Sequence, residues 1–312
     1  MPTTQIMVDV TSFFGVLRSP IQLLPDPFPE KVNINLYVKR DDLLHDTVSG
    51  NKFRKLKYNL LTARAQGNER LVTFGGAYSN HLHATAAAGK IFGFETLGLV
   101  RGQDHAHRPT PTLAFARANG MQLHYLTRAD YRRRADPVFL AHVLDQHPGY
   151  FVPEGGTNPL AVRGVAEIAQ EIADQLGFWP HNVVTALGTG GTLAGLVAGF
   201  AHRSSVLGIC VLKNAHYLRQ EVATLLERSK TTADLHTDFD ILWDYHHGGY
   251  AKCTPELRQF MHHFEQRNGF LIEQVYTAKM LWGVYDLAQK NYFAPNATVV
   301  VLHTGGLQGR VS

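Results

Sequence analysis

Cysteine is nearly absent: Cys210 and Cys253 are the only two in 312 residues, and no C-x-x-C spacing joins them. A disulfide framework is therefore not expected, and a reduced, cytoplasmic setting fits better. A dominant charge is lacking too. The formal net charge is +4, and the run Arg132 to Arg134 is isolated, so it reads as solvated surface with no nucleic-acid partner. The opening MPTTQIMVDV has neither the basic stretch nor the apolar run of a signal peptide. The one long uncharged stretch, Val183 to Ala201, approaches membrane-spanning length. Its five glycines make it a buried strand, a loop and a buried helix instead, so no membrane partner is expected. The 17 histidines include the pairs His81/His83, His105/His107, His246/His247 and His262/His263 but no H-E-x-x-H or comparable ligand set. A metal centre is not expected.

What is present is an ordinary globular composition, 45% hydrophobic and 18% charged, at a length that suits two domains. Residues 34–40 alternate apolar and polar as a half-buried strand should. A loop follows, ending in Ser49-Gly50, and then a helical pattern with Phe53, Leu56, Leu60 and Leu61 on one face. Strand, turn and helix recur at Leu71 to Phe74, Gly75 to Asn80 and His81 to Lys90, and again at Val183 to Leu187, the glycine loop and Leu193 to Phe200. Glu95 to Val100, Gln122 to Leu126, Val206 to Leu212 and Val299 to Leu302 read as further strands, Leu113 to Ala118 as a short helix, and 104–111 as a surface loop. Such alternation predicts an α/β fold with largely parallel sheets, whose ligands bind at the carboxyl ends of strands.

Three turns carry groups suited to chemistry. Gly188-Thr189-Gly190-Gly191-Thr192 precedes a helix, where glycines admit an anion close to unpaired N–H groups and two threonines add hydroxyls. It lacks the terminal lysine of a P-loop, and by itself it is equally well a tight turn. In Ser49-Gly50-Asn51-Lys52-Phe53-Arg54-Lys55, the two lysines stand three apart on a first helical turn. The helix dipole and burial both lower a lysine's pKa there, as an amine that must lose its proton requires, though taken singly such lysines are usually surface residues. In Gly75 to His81, Ser79 and Asn80 with the N–H groups after them suit a carboxylate, and suit an N-cap equally.

Taken together and in order, KRDDLL (39–44), SGNKFRKL (49–56), GGAYSNH (75–81), PEGGTNPLAVRG (153–164), LGTGGTLAG (187–195), GGYAK (248–252), VYTAKM (275–280) and VLHTGG (301–306) resemble the fold-type II pyridoxal-5′-phosphate (PLP) enzymes, tryptophan-synthase-β-like in class. The chain is most similar to the family of 1-aminocyclopropane-1-carboxylate (ACC) deaminase and D-cysteine desulfhydrase. The resemblance implies an α/β fold of two three-layer domains: a discontinuous large one, 1–54 with 151–312, and a small one at 55–150. It implies that Lys52 holds PLP as a Schiff base, that Lys55 contacts the phosphate and that Gly188, Thr189, Gly190, Gly191 and Thr192 cradle it. It implies further that Asn80 touches cofactor and substrate and that Ser79 meets the substrate carboxylate, with Tyr78 and His81 beside it. Tyr250 and Tyr276 match two active-site tyrosines, and Thr277 and Thr304 face the cofactor. A homodimer is implied as well.

Deaminases of that family carry Glu where this chain has Thr277, and Leu where it has Thr304. A carboxylate keeps the pyridine nitrogen protonated, whereas a hydroxyl offers a neutral hydrogen bond. The expectation is therefore β-elimination from a small amino acid, D-cysteine to pyruvate, ammonia and sulfide, by a desulfhydrase-like lyase. The alternatives are ACC deamination, a serine or threonine racemase or dehydratase, and a PLP-binding protein without turnover. Tyr78 replaces the Gln of better-known members, which reshapes the expected pocket.

Overall fold

The computed structural model describes residues 9–15, 17–229 and 239–310. Among them the strands are β1 (Ile21–Leu24), β2 (Ile34–Lys39), β3 (Arg70–Gly76), β4 (Glu95–Arg101), β5 (Met121–Leu126), β6 (Tyr150–Val152), β7 (Asn182–Leu187), β8 (Ser205–Cys210), β9 (Phe239–Leu242) and β10 (Ala297–Leu302). The helices are α1 (Val10–Gly15), α2 (Asn51–Ala65), α3 (Asn80–Phe92), α4 (Pro111–Ala118), α5 (Arg128–Arg132), α6 (Pro137–Gln146), α7 (Pro159–Leu176), α8 (Gly191–Phe200), α9 (Leu218–Arg228), α10 (Pro255–Asn268) and α11 (Thr277–Gln289). No helix of the described residues is long and apolar enough to cross a membrane. The uncharged stretch at 183–201 forms β7, a loop and α8.

The chain divides into two compact units. One holds the described residues up to Leu17 with Leu56–Thr157; the other holds Arg18–Lys55 with Asn158–Ser312. The division thus differs from the expected domains at both ends. Residues around α1 belong with the smaller unit because Phe13 and Phe14 pack on Phe92, at ring-centroid distances of 4.9 and 5.7 Å.

The larger unit is built on a six-stranded sheet in the order β1-β2-β10-β7-β8-β9, parallel except for the edge strand β1. β10 is central and buried at every position, which is why it reads as an unbroken apolar run. Its side chains alternate between two cores. Val299 and Val301 join Phe260, Phe264 and Met280 from α10 and α11, while Val300 and Leu302 join Val165, Leu193 and Val222 from α7, α8 and α9. Helices thus cover both faces of the sheet.

The smaller unit repeats the plan with a four-stranded parallel sheet, β5-β4-β3-β6. Leu82, Ala86 and Leu113 of α3 and α4 form one core, and Tyr131, Phe139 and Val143 of α5 and α6 another. The helix entries follow local chemistry. Ser79, Thr110, Asp136, Asn158 and Thr254 each cap a helix, and the last four precede a proline in the first turn.

Candidate active site

In the larger unit, three connections leave the carboxyl ends of adjacent strands and meet. β2 leads to Ser49-Gly50, β10 to Thr304-Gly305, and β7 to Gly188. The contact is close: Asn51 N donates to Thr304 O at 3.3 Å, and a Cβ on Gly50, where φ is +64°, would lie 1.9 Å from that oxygen. Asn51 then bridges two of the sequence motifs. Its Nδ2 donates to Thr192 Oγ1 at 2.9 Å, while its Oδ1 accepts from Lys52 Nζ at 3.0 Å. The glycine loop and Lys52 are therefore one assembly, joined by a residue to which the sequence reading assigned no role.

Burial pushes the Lys52 amine down to about 8. Lys55, one helical turn further on, is buried, and its amine is held well below the ordinary lysine range by burial first and by Lys52 second. The two lysines thus lie close enough to repel each other. The loop ahead of α8 turns through Gly190, where φ is +83°, and a Cβ on Gly188 would lie 3.1 Å from the Tyr276 ring. Tyr276 in turn meets Tyr250 edge to face at 6.2 Å.

Thr277 opens α11 and is fully buried. Its hydroxyl accepts the Glu273 N–H at 3.0 Å and donates to the Glu273 carboxylate at 3.1 Å. That carboxylate also accepts the N–H groups of Val275, Tyr276 and Thr277. Burial raises the Glu273 pKa, and these hydrogen bonds oppose the rise. With its proton given to Glu273, the Thr277 oxygen can only accept a further bond. Lys279, also fully buried, donates to Gly249 O at 2.7 Å and so holds the turn that carries Tyr250. Burial lowers its amine to about 8, against the pull of Glu273 and Cys253. Glu273 and Lys279 escaped the sequence reading; their one signal was a place in or beside the VYTAKM segment.

Behind Lys52 lies a buried ionic cluster. Arg54 grips Asp41, with Nη2 to Oδ1 at 3.0 Å, and Glu171, while Lys39 reaches Glu171 at 3.0 Å and Ser19 O at 2.6 Å. Asp41 O also accepts the Gly50 N–H at 3.0 Å. The KRDDLL and GNKFRK segments thus share one structural task, which is to fix the start of α2. His303 does the same for the neighbouring turn. It is buried, its Nδ1 accepts the Gly305 N–H at 3.2 Å, and burial, against the pull of Asp42, keeps its pKa below the ordinary histidine value.

The remaining candidates stand in the smaller unit, at the end of β3. Ser79 Oγ accepts the N–H groups of His81 and Leu82 as the N-cap of α3, and Asn80 is the first residue of that helix. Tyr78 is 62% exposed. His81 is buried, and its Nε2 meets Thr73 Oγ1 at 2.8 Å. Because the Thr73 proton goes to Val152 O, the imidazole donates and its ring ties α3 to β3. The stretch 104–111 is only partly loop, since a helical turn spans Gln103–Ala106 and Pro111 begins α4.

These residues fit PLP. Two lysines with depressed pKa values stand beside a glycine loop at a helix N-terminus, and a phosphate dianion would offset their burial and mutual repulsion. A family model described as pyridoxal-phosphate dependent enzyme matches residues 13–305. Proteins of Pyrococcus abyssi and Thermotoga maritima, both provisionally named 1-aminocyclopropane-1-carboxylate deaminase, are each 31% identical to this chain. The matches cover 94% and 93% of it, and 90% and 94% of the relatives. A crystal structure described as an ACC deaminase homologue superposes with a TM-score of 0.82 at 26% identity, covering 96% of this chain and 95% of that one. A hydrogen sulfide-producing enzyme of Fusobacterium nucleatum shares the fold, with a TM-score of 0.69 at 13% identity over 95% of this chain and 98% of its own.

Proposed function

We propose that this chain, which belongs to the pyridoxal-phosphate dependent enzyme family, catalyses β-elimination from a small amino acid in the manner of a D-cysteine desulfhydrase. One observation carries the reading: Thr277, with its hydroxyl proton committed to Glu273, stands where the deaminases resembled here carry a carboxylate. Thr304, beside Asn51, stands where those deaminases carry Leu. A neutral acceptor holds less charge at the ring than a carboxylate does, which suits departure of thiolate, a good leaving group, better than opening of a cyclopropane.

When bound, PLP draws electrons from the α-carbon of the amino acid joined to it. The chain supplies the rest. Lys52 would hold the cofactor covalently and, once displaced by the substrate amine, its Nζ would be free to take the α-proton; burial lowers that amine to about 8. Lys55 and residues Gly188 to Thr192 would hold the phosphate. Ser79, whose oxygen already accepts two N–H groups, retains its own proton to donate to the substrate carboxylate. Tyr250 and Tyr276 bound the reacting group, and Lys279 steadies the first of them through Gly249.

ACC deamination is the second reading, favoured by the provisional names of the relatives. Purified holoenzyme, assayed with D-cysteine, L-cysteine and ACC, separates the two. Pyruvate from D-cysteine with no 2-oxobutyrate from ACC is the expected result, and Lys52→Ala should abolish turnover along with the visible band of the bound cofactor. Efficient 2-oxobutyrate release from ACC would replace the first reading by the second.

A further inference from the structure

The turn that carries Tyr250 is strained. Between β9 and α10, His247, Gly248, Gly249 and Ala251 stand at φ of +48°, +89°, +119° and +56°. Glycine reaches such angles freely, but in His247 and Ala251 the Cβ crowds the backbone, so each of these two residues costs the fold free energy. Left-handed residues other than glycine persist where surrounding contacts over-determine the backbone, and they gather at functional sites. A turn that served only to join β9 to α10 has no need of histidine at such an angle, since glycine or asparagine would sit there with less strain.

The contacts come from three directions, all within the larger unit. Inside the turn, His246 accepts the Gly248 N–H at Nδ1 and the Gly249 N–H at its carbonyl oxygen, both at 3.0 Å. From α11, Lys279 donates to Gly249 O, and the Trp282 ring meets His247 edge to face at 5.2 Å. From the start of α10, Thr254 Oγ1 meets His247 Nδ1 at 3.2 Å, and the same oxygen caps that helix by accepting the Leu257 N–H at 3.3 Å. His247 thus fastens the turn to two helices at once. The consequence reaches the site by a chain of contacts. The Tyr250 ring, 44% exposed, touches Tyr276; Tyr276 abuts Gly188 of the glycine loop; and Thr192 of that loop is joined through Asn51 to Lys52.

We propose that His247 is a positioning residue for the reaction: it clamps a strained turn so that Tyr250 is held in one place beside Tyr276, and some stability is given up for that placement. The proposal rests on the assignment of Tyr250 to the reacting group. A clamp of this kind acts on rate more than on binding, because a displacement of about 1 Å far from the reacting atoms can slow a reaction about a hundredfold.

The test compares PLP-loaded parent with His247→Gly, which relieves the backbone but removes both helix contacts, and with His247→Asn. Asparagine tolerates the left-handed region and offers an amide atom at the place of Nδ1 for Thr254. Thr254→Val, which deletes the partner hydroxyl and leaves the histidine, is a second way to open the clamp. Steady-state kinetics are measured with D-cysteine, or with ACC if that is the substrate. Melting curves report folding, and hydrogen exchange at the amides of Gly248, Gly249 and Lys252 reports the turn. His247→Gly should melt within about 3 °C of the parent, exchange about tenfold faster at these amides, and lose about tenfold in kcat with KM little changed. His247→Asn should recover most of both losses, and Thr254→Val should share them. Parental kcat in both His247→Gly and Thr254→Val, or a lower kcat without faster exchange, overturns the proposal, as does a Tyr250→Ala variant as active as the parent. Absence of product from D-cysteine and from ACC would refute the proposed function instead, and the exchange comparison would still decide whether His247 clamps the turn.

Discussion

Replacing Arg54 by Met tests how Lys52 is held. The cluster of Lys39, Arg54, Asp41 and Glu171 is neutral and almost wholly buried, with Arg54 at 3% exposure and Asp41 at 0%. Methionine fills much of the same volume, so the loss is chiefly electrostatic. Glu171 keeps Lys39 at 3.0 Å, but Asp41 is left with the Ser19 hydroxyl at 2.6 Å as its side-chain donor. Removing one member of a buried pair costs about 3–5 kcal/mol, which in a unit of this size lowers the melting temperature by roughly 6–20 °C. Thermal melts followed by circular dichroism measure this directly. Arg54→Met combined with Asp41→Asn restores neutrality and should be less destabilised than the sum of the single changes.

The acid limb supplies a second readout of the same cluster. Burial raises the Glu171 pKa, but Arg54 and then Lys39 outweigh it, so the folded value lies below the ordinary 4.5. A depressed carboxylate stabilises the fold above its unfolded pKa, and that contribution is lost as pH falls through the folded value. The parent should therefore lose stability more steeply below pH 4.5 than Arg54→Met does. A variant that melts within about 2 °C of the parent, with an unchanged acid limb, would refute the assignment of this cluster as the anchor of α2.

Further outcomes follow from the site. Gly50→Ala puts a methyl group 1.9 Å from Thr304 O at a positive φ; it should cost at least about 2 kcal/mol and weaken PLP binding, measured by melting and by cofactor titration. Attachment of PLP to the apoenzyme requires the neutral Lys52 amine, so its rate should rise with pH and level off above about 8 in stopped-flow absorbance. A midpoint near the ordinary lysine value of 10.5 would contradict the burial of Nζ. Lys279→Met removes the hydrogen bond to Gly249 O. It should lower kcat about tenfold or more with the cofactor band retained, whereas an unchanged kcat would show that Tyr250 needs no such support.

Strands β2 to β5, β7, β8 and β10, helices α2, α3, α4 and α8, the three turns and the spacing of Lys52 and Lys55 are local properties, and the sequence alone determined them. Alternating or unbroken apolar runs specify strands, glycine with Ser, Thr or Asn marks the turns, and a three-residue spacing puts two lysines on one side of a helix. Tertiary structure decided which turns meet. Asn51 touches Thr192 and Thr304 because β2, β10 and β7 are neighbours in the sheet, although their sequence positions lie more than a hundred residues apart. Tertiary structure likewise brings Arg54 to Glu171 and Lys279 to Gly249. The folded chain also joined His81 to Thr73 and gave the Thr277 proton to Glu273. Hydrogen bonds and ion pairs require atoms within about 3 Å. Strand order, rather than spacing along the chain, sets which distant residues come that close.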